Sequence, residues 1–163
     1  MKHVTPQRAV PALCFTGGRW IPGTFHLPKV HGFDDHLRKL RTFVPLTDAD
    51  LGAGALGFVA VRSEALQAVV LRVSEEELQL TPTGAGASPR AVSCYLEGLA
   101  AHGTVEVHAG LRTSDFLLLH EGFIALRGCR LVPAPPGGGE PAPLVFVNAR
   151  GVVAVTEEGM PEE

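Results

Sequence analysis

An internal repeat of about 80 residues constrains this sequence more than any other feature. A shift of 80 positions aligns residues 14–51 with residues 94–131 without a gap, and nine of the 38 aligned pairs are identical. A shift of 86 aligns residues 58–69 with residues 144–155, which places the six additional residues in a Pro- and Gly-rich stretch. Upstream, residues 8–10 match residues 90–92 with a slip of two residues. Self-similarity at a fixed period is the signature of a repeated structural unit, so we expect two similar domains that arose by duplication. The identical pairs are Cys14/Cys94, Gly18/Gly98, Gly23/Gly103, Thr24/Thr104, Asp35/Asp115, Leu37/Leu117, Phe43/Phe123, Leu46/Leu126 and Leu51/Leu131.

The repeat also predicts the domain boundaries. The first domain covers residues 1–80 and the second covers residues 90–163. Between them, residues 81–89 (TPTGAGASP) have the composition of a linker, because small residues, Gly and Pro do not sustain helix or strand. The segment 74–80 (SEEELQL) fits a short helix or an extended tail equally well.

Each copy has the pattern of a β domain. Gly and Pro together account for 32 of the 163 residues, which is too many for a helix bundle. In the second copy, strict alternation places Val105 and Val107 on one face of a strand and Thr104 and Glu106 on the other. Short strands with Gly-rich turns are typical of small, strongly bent barrels. We therefore predict a mainly β fold of two tandem small β-barrels, each with one short helical turn.

The helical turn is predicted at equivalent places in both copies. In copy 2 (RTSDFLLLH) we expect Thr113 or Ser114 to cap it and Phe116, Leu117 and Leu119 to be buried. In copy 1 (GFDDHLRKL) Asp34 is the expected cap. The acid kept in both copies, Asp35/Asp115, fits a structural role near the helix start, where a carboxylate meets the helix dipole; the alternative is a contact with a partner.

These motifs resemble two kinds of known domain. The order of strand, long bent strand, variable loop and a final strand pair resembles Sm-like and SH3-like barrels, and the ending VFVNARGVVAV resembles their last two strands. The pattern R-x-S-D-x-L followed by F-x-x-L also resembles an uncharacterised bacterial family of small domains, although copy 1 has Gly32 in place of the Arg. This resemblance covers most of both copies and implies no known activity. The candidate partner-binding residues are Asp35, Arg112, Asp115 and Asn148.

Residues 52–57 form a literal G-x-G-x-x-G, but in an unsuitable context. A dinucleotide site needs this motif between a buried strand and the N-terminus of a helix. Here a polar segment precedes it and β-type residues follow it, so we expect a β-hairpin loop and no cofactor.

The densest group of possible metal ligands is His26, His31 and His36, with Asp34 and Asp35 between them. Their spacing of five is not the i, i+4 helical spacing that marks zinc sites, and none of them aligns with a histidine in the other copy. Solvated or hydrogen-bonded histidines are the preferred interpretation, and a metal site is the alternative. We find no motif for a catalytic residue and expect no enzymatic activity.

The cysteines and the hydropathy indicate the compartment. Three cysteines do not make a disulfide framework, and free thiols suit a reducing compartment. Cys14 and Cys94 share one strand position, which favours buried small hydrophobic residues over nucleophiles. The first residues do not have the pattern of a signal peptide, so we expect none, and no apolar run in the sequence is long enough to span a membrane. We expect a cytoplasmic protein, and an excess of Arg over Lys suggests a bacterial source.

Two function classes remain open. A net charge of −3 gives no basic excess to attract nucleic acid, which favours a non-enzymatic module that binds a protein partner or copies of itself. The alternative is a nucleic-acid-binding protein, by analogy with Sm-like and OB-type barrels. The two late strand segments, residues 58–69 and 144–155, carry only Arg62, Glu64 and Arg150 as charged residues. Charge is one protection against edge-to-edge pairing, and because these segments carry so little of it, we expect self-association through the barrel edges. We expect no small-molecule substrate.

Overall fold

The computed structural model describes residues 7–28, 32–52, 54–71, 86–137 and 141–157. By its contacts the chain divides into two compact units, Met1–Thr81 and Pro82–Glu163. Both units consist mainly of antiparallel strands, which confirms the prediction of a mainly β fold.

In the first unit, β1 pairs with both β2 and β7. Two hairpins follow, β3 with β6 and β4 with β5. The backbones of Thr24 and Thr47 exchange hydrogen bonds of 2.9 and 3.1 Å, which join β2 to the chain after β3. The elements are β1 Gln7–Thr16, β2 Arg19–Pro28, α1 Phe33–Arg38, β3 Phe43–Leu46, β4 Ala49–Asp50, β5 Ala55–Leu56, β6 Val59–Arg62, a 3-10 helix Ser63–Ala65 and β7 Ala68–Leu71.

In the second unit, five strands form one sheet in the order β12, β8, β9, β10, β11. A bulge between Arg127 and Arg130 interrupts the pairing of β9 with β10. The predicted break at residues 148–151 is a 3-10 helix, which Asn148 caps by accepting the backbone N–H of Arg150 at 3.1 Å. The elements are β8 Ser88–Leu96, β9 Leu99–Val107, α2 Thr113–Leu119, β10 Phe123–Val132, β11 Ala142–Asn148, the 3-10 helix Ala149–Gly151 and β12 Val152–Glu157.

The strand registers of the two units follow the two sequence shifts. Cys14 lies opposite Val69 in the first unit, and Cys94 lies opposite Val155 in the second. Phe43 lies opposite Arg62, just as Phe123 lies opposite Asn148. In each comparison the first partner moves by 80 positions and the second by 86. Positions that correspond through these shifts are called equivalent below.

The two-residue slip at the start of the repeat is wrong. The pairing of β1 with β2 runs without interruption from Gln7 opposite Pro28 to Thr16 opposite Arg19. The pairing of β8 with β9 is equally regular, and Arg90 lies opposite Val105 where Val10 lies opposite Phe25. An unbroken antiparallel ladder has no place for an inserted residue, so Arg90 is equivalent to Val10 and not to Arg8.

The hydrophobic core follows the predicted alternation. Val105 and Val107 are buried, whereas Thr104 and Glu106 are half-buried on the opposite face. Phe15, Phe25 and Phe33 are fully buried in the first unit, and the rings of Phe25 and Phe33 meet edge to face with centroids 5.2 Å apart. Such aromatic pairs add about 0.5–1.5 kcal/mol beyond the burial of their area.

Two predicted features differ from the structure. In the second unit β11 and β12 do not pair with each other, so the sheet is open and does not close into a barrel. The chain is already extended at Ser88, so the last two residues of the predicted linker belong to β8. The first residues of that linker and the segment 74–80 lie outside the described residues.

The helix caps also differ from the prediction. Gly32 and Arg112 are the N-cap residues, and neither makes a side-chain cap hydrogen bond. Asp34 instead accepts the backbone N–H of Asp35 inside α1, and Thr113 and Ser114 are the first two residues of α2. Thr113 lies one residue past the N-cap position, and its hydroxyl donates to Glu157 at 3.1 Å.

Candidate interaction surfaces

The four predicted partner-binding residues have different environments. Arg112 and Asp115 are exposed and lie within one turn at the start of α2. Asp35 is in the other unit, where it pairs with Arg38 at 3.1 Å and Lys39 at 3.2 Å. Asn148 is only 5% exposed, and its side-chain oxygen caps the 3-10 helix, which leaves little of it for a partner. Within the second unit, the structure therefore brings Arg112 and Asp115 together.

The largest exposed apolar residues lie elsewhere, and one group is on the β3–β6 hairpin. Val44, Leu46 and Val61 point into the core of the first unit. Because side chains alternate along a strand, the residues between them point outward. We call this outward surface the β3–β6 face, and its members are Phe43, Pro45, Phe58, Ala60 and Arg62.

The β3–β6 face is apolar for an exposed surface. Phe43 is 57% exposed and Phe58 is 64% exposed, at opposite ends of the hairpin. Pro45 and Ala60 lie opposite each other between them, so Arg62 is the face's one charged member. Ser63 donates its backbone N–H to the carbonyl of Thr42 at 2.8 Å and closes the hairpin beside Phe43. Exposed apolar patches of this kind mark interaction sites in soluble domains.

A second exposed surface lies at the edge of the sheet in the second unit. We call it the β12 edge, and it consists of β12 with Tyr95 of the neighbouring strand. Val153 is 76% exposed, and Tyr95, which lies opposite Ala154, is 38% exposed. Among the described strands of this unit, β12 pairs only with β8. One side of β12 therefore presents backbone N–H and C=O groups that another strand could pair with.

The end of α2 carries a third apolar group. Leu118 is 83% exposed and Leu119 is 75% exposed, which contradicts the expectation that Leu119 is buried. Their equivalents in α1 are Arg38 and Lys39, which pair with Asp35. Phe116 and Leu117 of α2 are half-buried. A seven-residue helix cannot cover all of its apolar residues on one face, and here the last two remain outside.

The histidines make hydrogen bonds or ring contacts within their own units. His26 bonds through Nε2 to the hydroxyl of Thr47 at 2.6 Å. His36 is half-buried, with its ring centroid 6.4 Å from those of Phe25 and Phe33. His31 lies outside the described residues. Over the ranges that the structure describes, no three His, Cys, Asp or Glu residues are placed to hold a metal ion.

The G-x-G-x-x-G segment contains the loop of a β-hairpin, as the sequence predicts. Gly52 and Gly54 lie between β4 and β5, the segment includes β5, and a strand rather than a helix follows it. Gly52 and Gly54 adopt φ angles of 103° and 104°, a backbone region that favours glycine. The backbone N–H of Gly52 donates to the carboxylate of Asp50 at 2.8 Å, so this loop binds its own aspartate.

The cysteines are buried, as the repeat predicted. Burial raises the pKa of the Cys14 thiol to about 12 and that of the Cys94 thiol to about 11. Because the thiolate is the nucleophile, a raised pKa and a buried position both disfavour reactivity at these two residues.

No known family model matches this chain, and no curated protein or solved structure matches it significantly. Within the described parts of the chain, no helix is long and apolar enough to cross a membrane.

The sequence did not indicate the β3–β6 face, the β12 edge or the α2 leucines. Alternation in the segment Phe43–Leu46 does separate two faces, but both carry apolar residues. Such a pattern predicts a strand with two buried faces. Only the tertiary structure distinguishes the covered face from the open one.

Proposed function

We propose that this protein is a non-enzymatic interaction module formed by duplication of one small β unit, which binds protein through exposed strand edges. The observation that carries the proposal is that four of the exposed apolar residues lie at strand edges. Phe43, Phe58, Val153 and Tyr95 all belong to, or flank, strands at the edge of their sheets. An edge strand supplies unpaired backbone groups, and adjacent apolar side chains supply the area that makes pairing favourable.

The matched strand registers support the duplication. Antiparallel register is set by which residues face the core and by turn length. Two unrelated units have no reason to place Cys14 and Cys94 opposite Val69 and Val155, at positions that the same two sequence shifts connect. A β unit copied once accounts for both the nine identities and the shared register.

The charge and the thiols support the interaction module over the two alternatives. The net charge of −3 disfavours nucleic acid, whose binding energy comes largely from phosphate contacts with Lys and Arg. The β3–β6 face carries Arg62 as its one charge, too little for a phosphate-binding surface. The raised pKa values of the Cys14 and Cys94 thiols disfavour nucleophilic catalysis at these residues.

Site-specific photo-crosslinking in living cells tests the proposal. A photoreactive phenylalanine analogue replaces Phe58 in one variant and Glu121, which is exposed outside the proposed surfaces, in a control variant. We expect an adduct with protein from position 58 and at least tenfold less from position 121. Adducts with RNA, or equal labelling from both positions, would contradict the proposal.

A further inference from the structure

Equivalent strands of the two units differ sharply in exposure. Phe58 and Ala60 of the β3–β6 face are exposed, the former by 64%. Their equivalents in the second unit, Leu144 and Phe146, are 3% and 2% exposed. Ala60 and Phe146 occupy the same step of the register, opposite Pro45 and Ala125 respectively. The side chains at these two positions are apolar in both units, as expected of a surface that is covered.

The last strands of the two units differ in exposure in the opposite direction, since the strand of the first unit is the buried one. Ala68 and Val69 in β7 are fully buried. Ala154 and Val155 in β12 are the same residue types at equivalent positions, and they are exposed and half-buried. The strands β6 and β11 are equivalent, and so are β7 and β12. In each of these pairs one strand has exposed side chains: β6 in the first pair and β12 in the second.

We propose that the partner is a second copy of this chain, and that β6 of one copy pairs with β12 of the next. This inference rests on the proposed function. Both strands have a free edge, because among the described strands β6 pairs only with β3 and β12 pairs only with β8. Pairing joins their backbone N–H and C=O groups and brings the β3–β6 face beside Val153 and Tyr95.

A second copy is favoured as the partner because each chain carries both exposed strands, β6 and β12. A twofold dimer of β6 with β6 leaves both β12 strands open, and a dimer of β12 with β12 leaves both β6 strands open. Contact between β6 of one copy and β12 of the next covers both of these strands with a single type of interface. Such a head-to-tail contact is heterologous and continues from copy to copy until the rotation closes a ring.

Two charged variants and their mixture test this arrangement. One variant carries Phe58→Lys and Ala60→Lys, and the other carries Val153→Lys and Ala154→Lys. All four side chains are exposed, so the substitutions leave the core unchanged, and melting temperatures within a few degrees of the wild type verify folding. Leu118→Lys with Leu119→Lys is the matched control, because it charges an exposed apolar pair that belongs to neither β6 nor β12.

Light scattering at several concentrations measures the mass. We expect the wild type and the control to have a multiple of the chain mass of 17.2 kDa, and each edge variant alone to have the chain mass. An equal mixture of the two edge variants should form a dimer, because each supplies the intact strand that the other lacks. The dimer fraction should exceed that of either variant alone at least tenfold.

The outcomes separate this inference from the proposed function. A wild type of single-chain mass at every concentration overturns the inference, as does a dimer formed by one edge variant alone, a mixture that stays monomeric, or an assembly that the α2 control abolishes. If the wild type is monomeric and Phe58 crosslinks to a different protein, the proposed function holds and the inference fails. If the wild type is monomeric and position 58 yields no protein adduct, both fail.

Discussion

Asp48 and Gly128 occupy the same step of the two units and share a left-handed backbone, with φ angles of 52° and 54°. Asp48 comes directly after Thr47, which pairs with Thr24 of β2. Gly128 comes directly after Arg127, which pairs with Thr104 of β9. Gly128 lies in the bulge of β10 and Asp48 lies between β3 and β4, so the chain adopts this conformation at the same step of each unit. Glycine adopts it without strain, whereas aspartate adopts it more readily than most residues with a side chain.

Gly128→Ala should lower the free energy of unfolding by about 1 kcal/mol, since a side chain at positive φ is strained. An added Cβ meets no atom within 4 Å there, so the effect is conformational rather than steric. Gly128→Asp should cost about half as much, as Asp48 suggests. Urea denaturation measures both.

Gly57→Ala is the control for Gly128, because Gly57 has open space around it and no positive φ. Its substitution should change the free energy of unfolding by no more than about 0.5 kcal/mol. Equal losses at Gly57 and Gly128 would contradict the conformational explanation.

Gly103 and Gly23 are equivalent glycines that differ in what lies against them. A Cβ on Gly103 would lie 3.1 Å from the carbonyl oxygen of Arg127 and 3.3 Å from the Cα of Cys129. A Cβ on Gly23 would lie 3.1 Å from Cδ1 of Leu46, which is a side-chain atom that can move. Gly103→Ala should therefore cost about 2 kcal/mol and Gly23→Ala about 1 kcal/mol. Thermal unfolding of the two variants compares them, and a larger loss at Gly23 would refute the argument.

The sequence predicted the mainly β framework because register and alternation are local, redundant signals. Each identical pair, such as Cys14 with Cys94, fixes the same strand position, and the neighbouring pairs agree with it. A shift of one residue would turn every apolar side chain to the wrong face. For this reason the prediction that Val105 and Val107 share one face of a strand is confirmed, since both are buried.

The caps and the open surfaces could not be predicted, because they depend on contacts distant in sequence. Thr113 has the chemistry of a cap, but Glu157, 44 residues away, receives its hydrogen bond. Leu119 has the chemistry of a core residue, and a helix of seven residues leaves it outside. Short elements carry too few residues for their periodicity to specify a face. The sequence therefore did not indicate the exposed surfaces on which the proposed function depends.

The hydrogen bond from Thr113 to Glu157 ties the start of α2 to the end of β12. Thr113 is 7% exposed, and its hydroxyl lies 3.1 Å from the carboxylate. Thr113→Val should lower the free energy of unfolding by about 1–2 kcal/mol, because it removes a bond to a charged acceptor. Ser114→Ala alters an exposed neighbour and should cost no more than about 0.5 kcal/mol. In a double-mutant cycle with Glu157→Ala, a coupling energy of zero would show that the bond does not contribute.

The buried thiols should make the protein less stable at high pH. Burial raises the pKa of the Cys14 thiol from 9.0 to about 12 and that of the Cys94 thiol from 9.0 to about 11. Because both values are raised in the folded state, the stabilisation is fully present below pH 9 and is lost as the pH rises through the folded values. Above pH 9 the unfolded thiols ionise first, so the free energy of unfolding should fall by up to about 1.4 kcal/mol per pH unit for each thiol.

Denaturant unfolding between pH 8 and pH 11 measures this slope in the wild type and in Cys14→Ala. The variant should be less stable at pH 8, since a buried side chain is truncated, but its stability should fall less steeply with pH because one thiol no longer ionises. The slopes isolate the thiol because every other titrating group is common to both proteins. If the two slopes were equal, Cys14 would ionise with the same pKa in the folded and unfolded states. Burial of Cys14 would then not be the cause of the pH dependence.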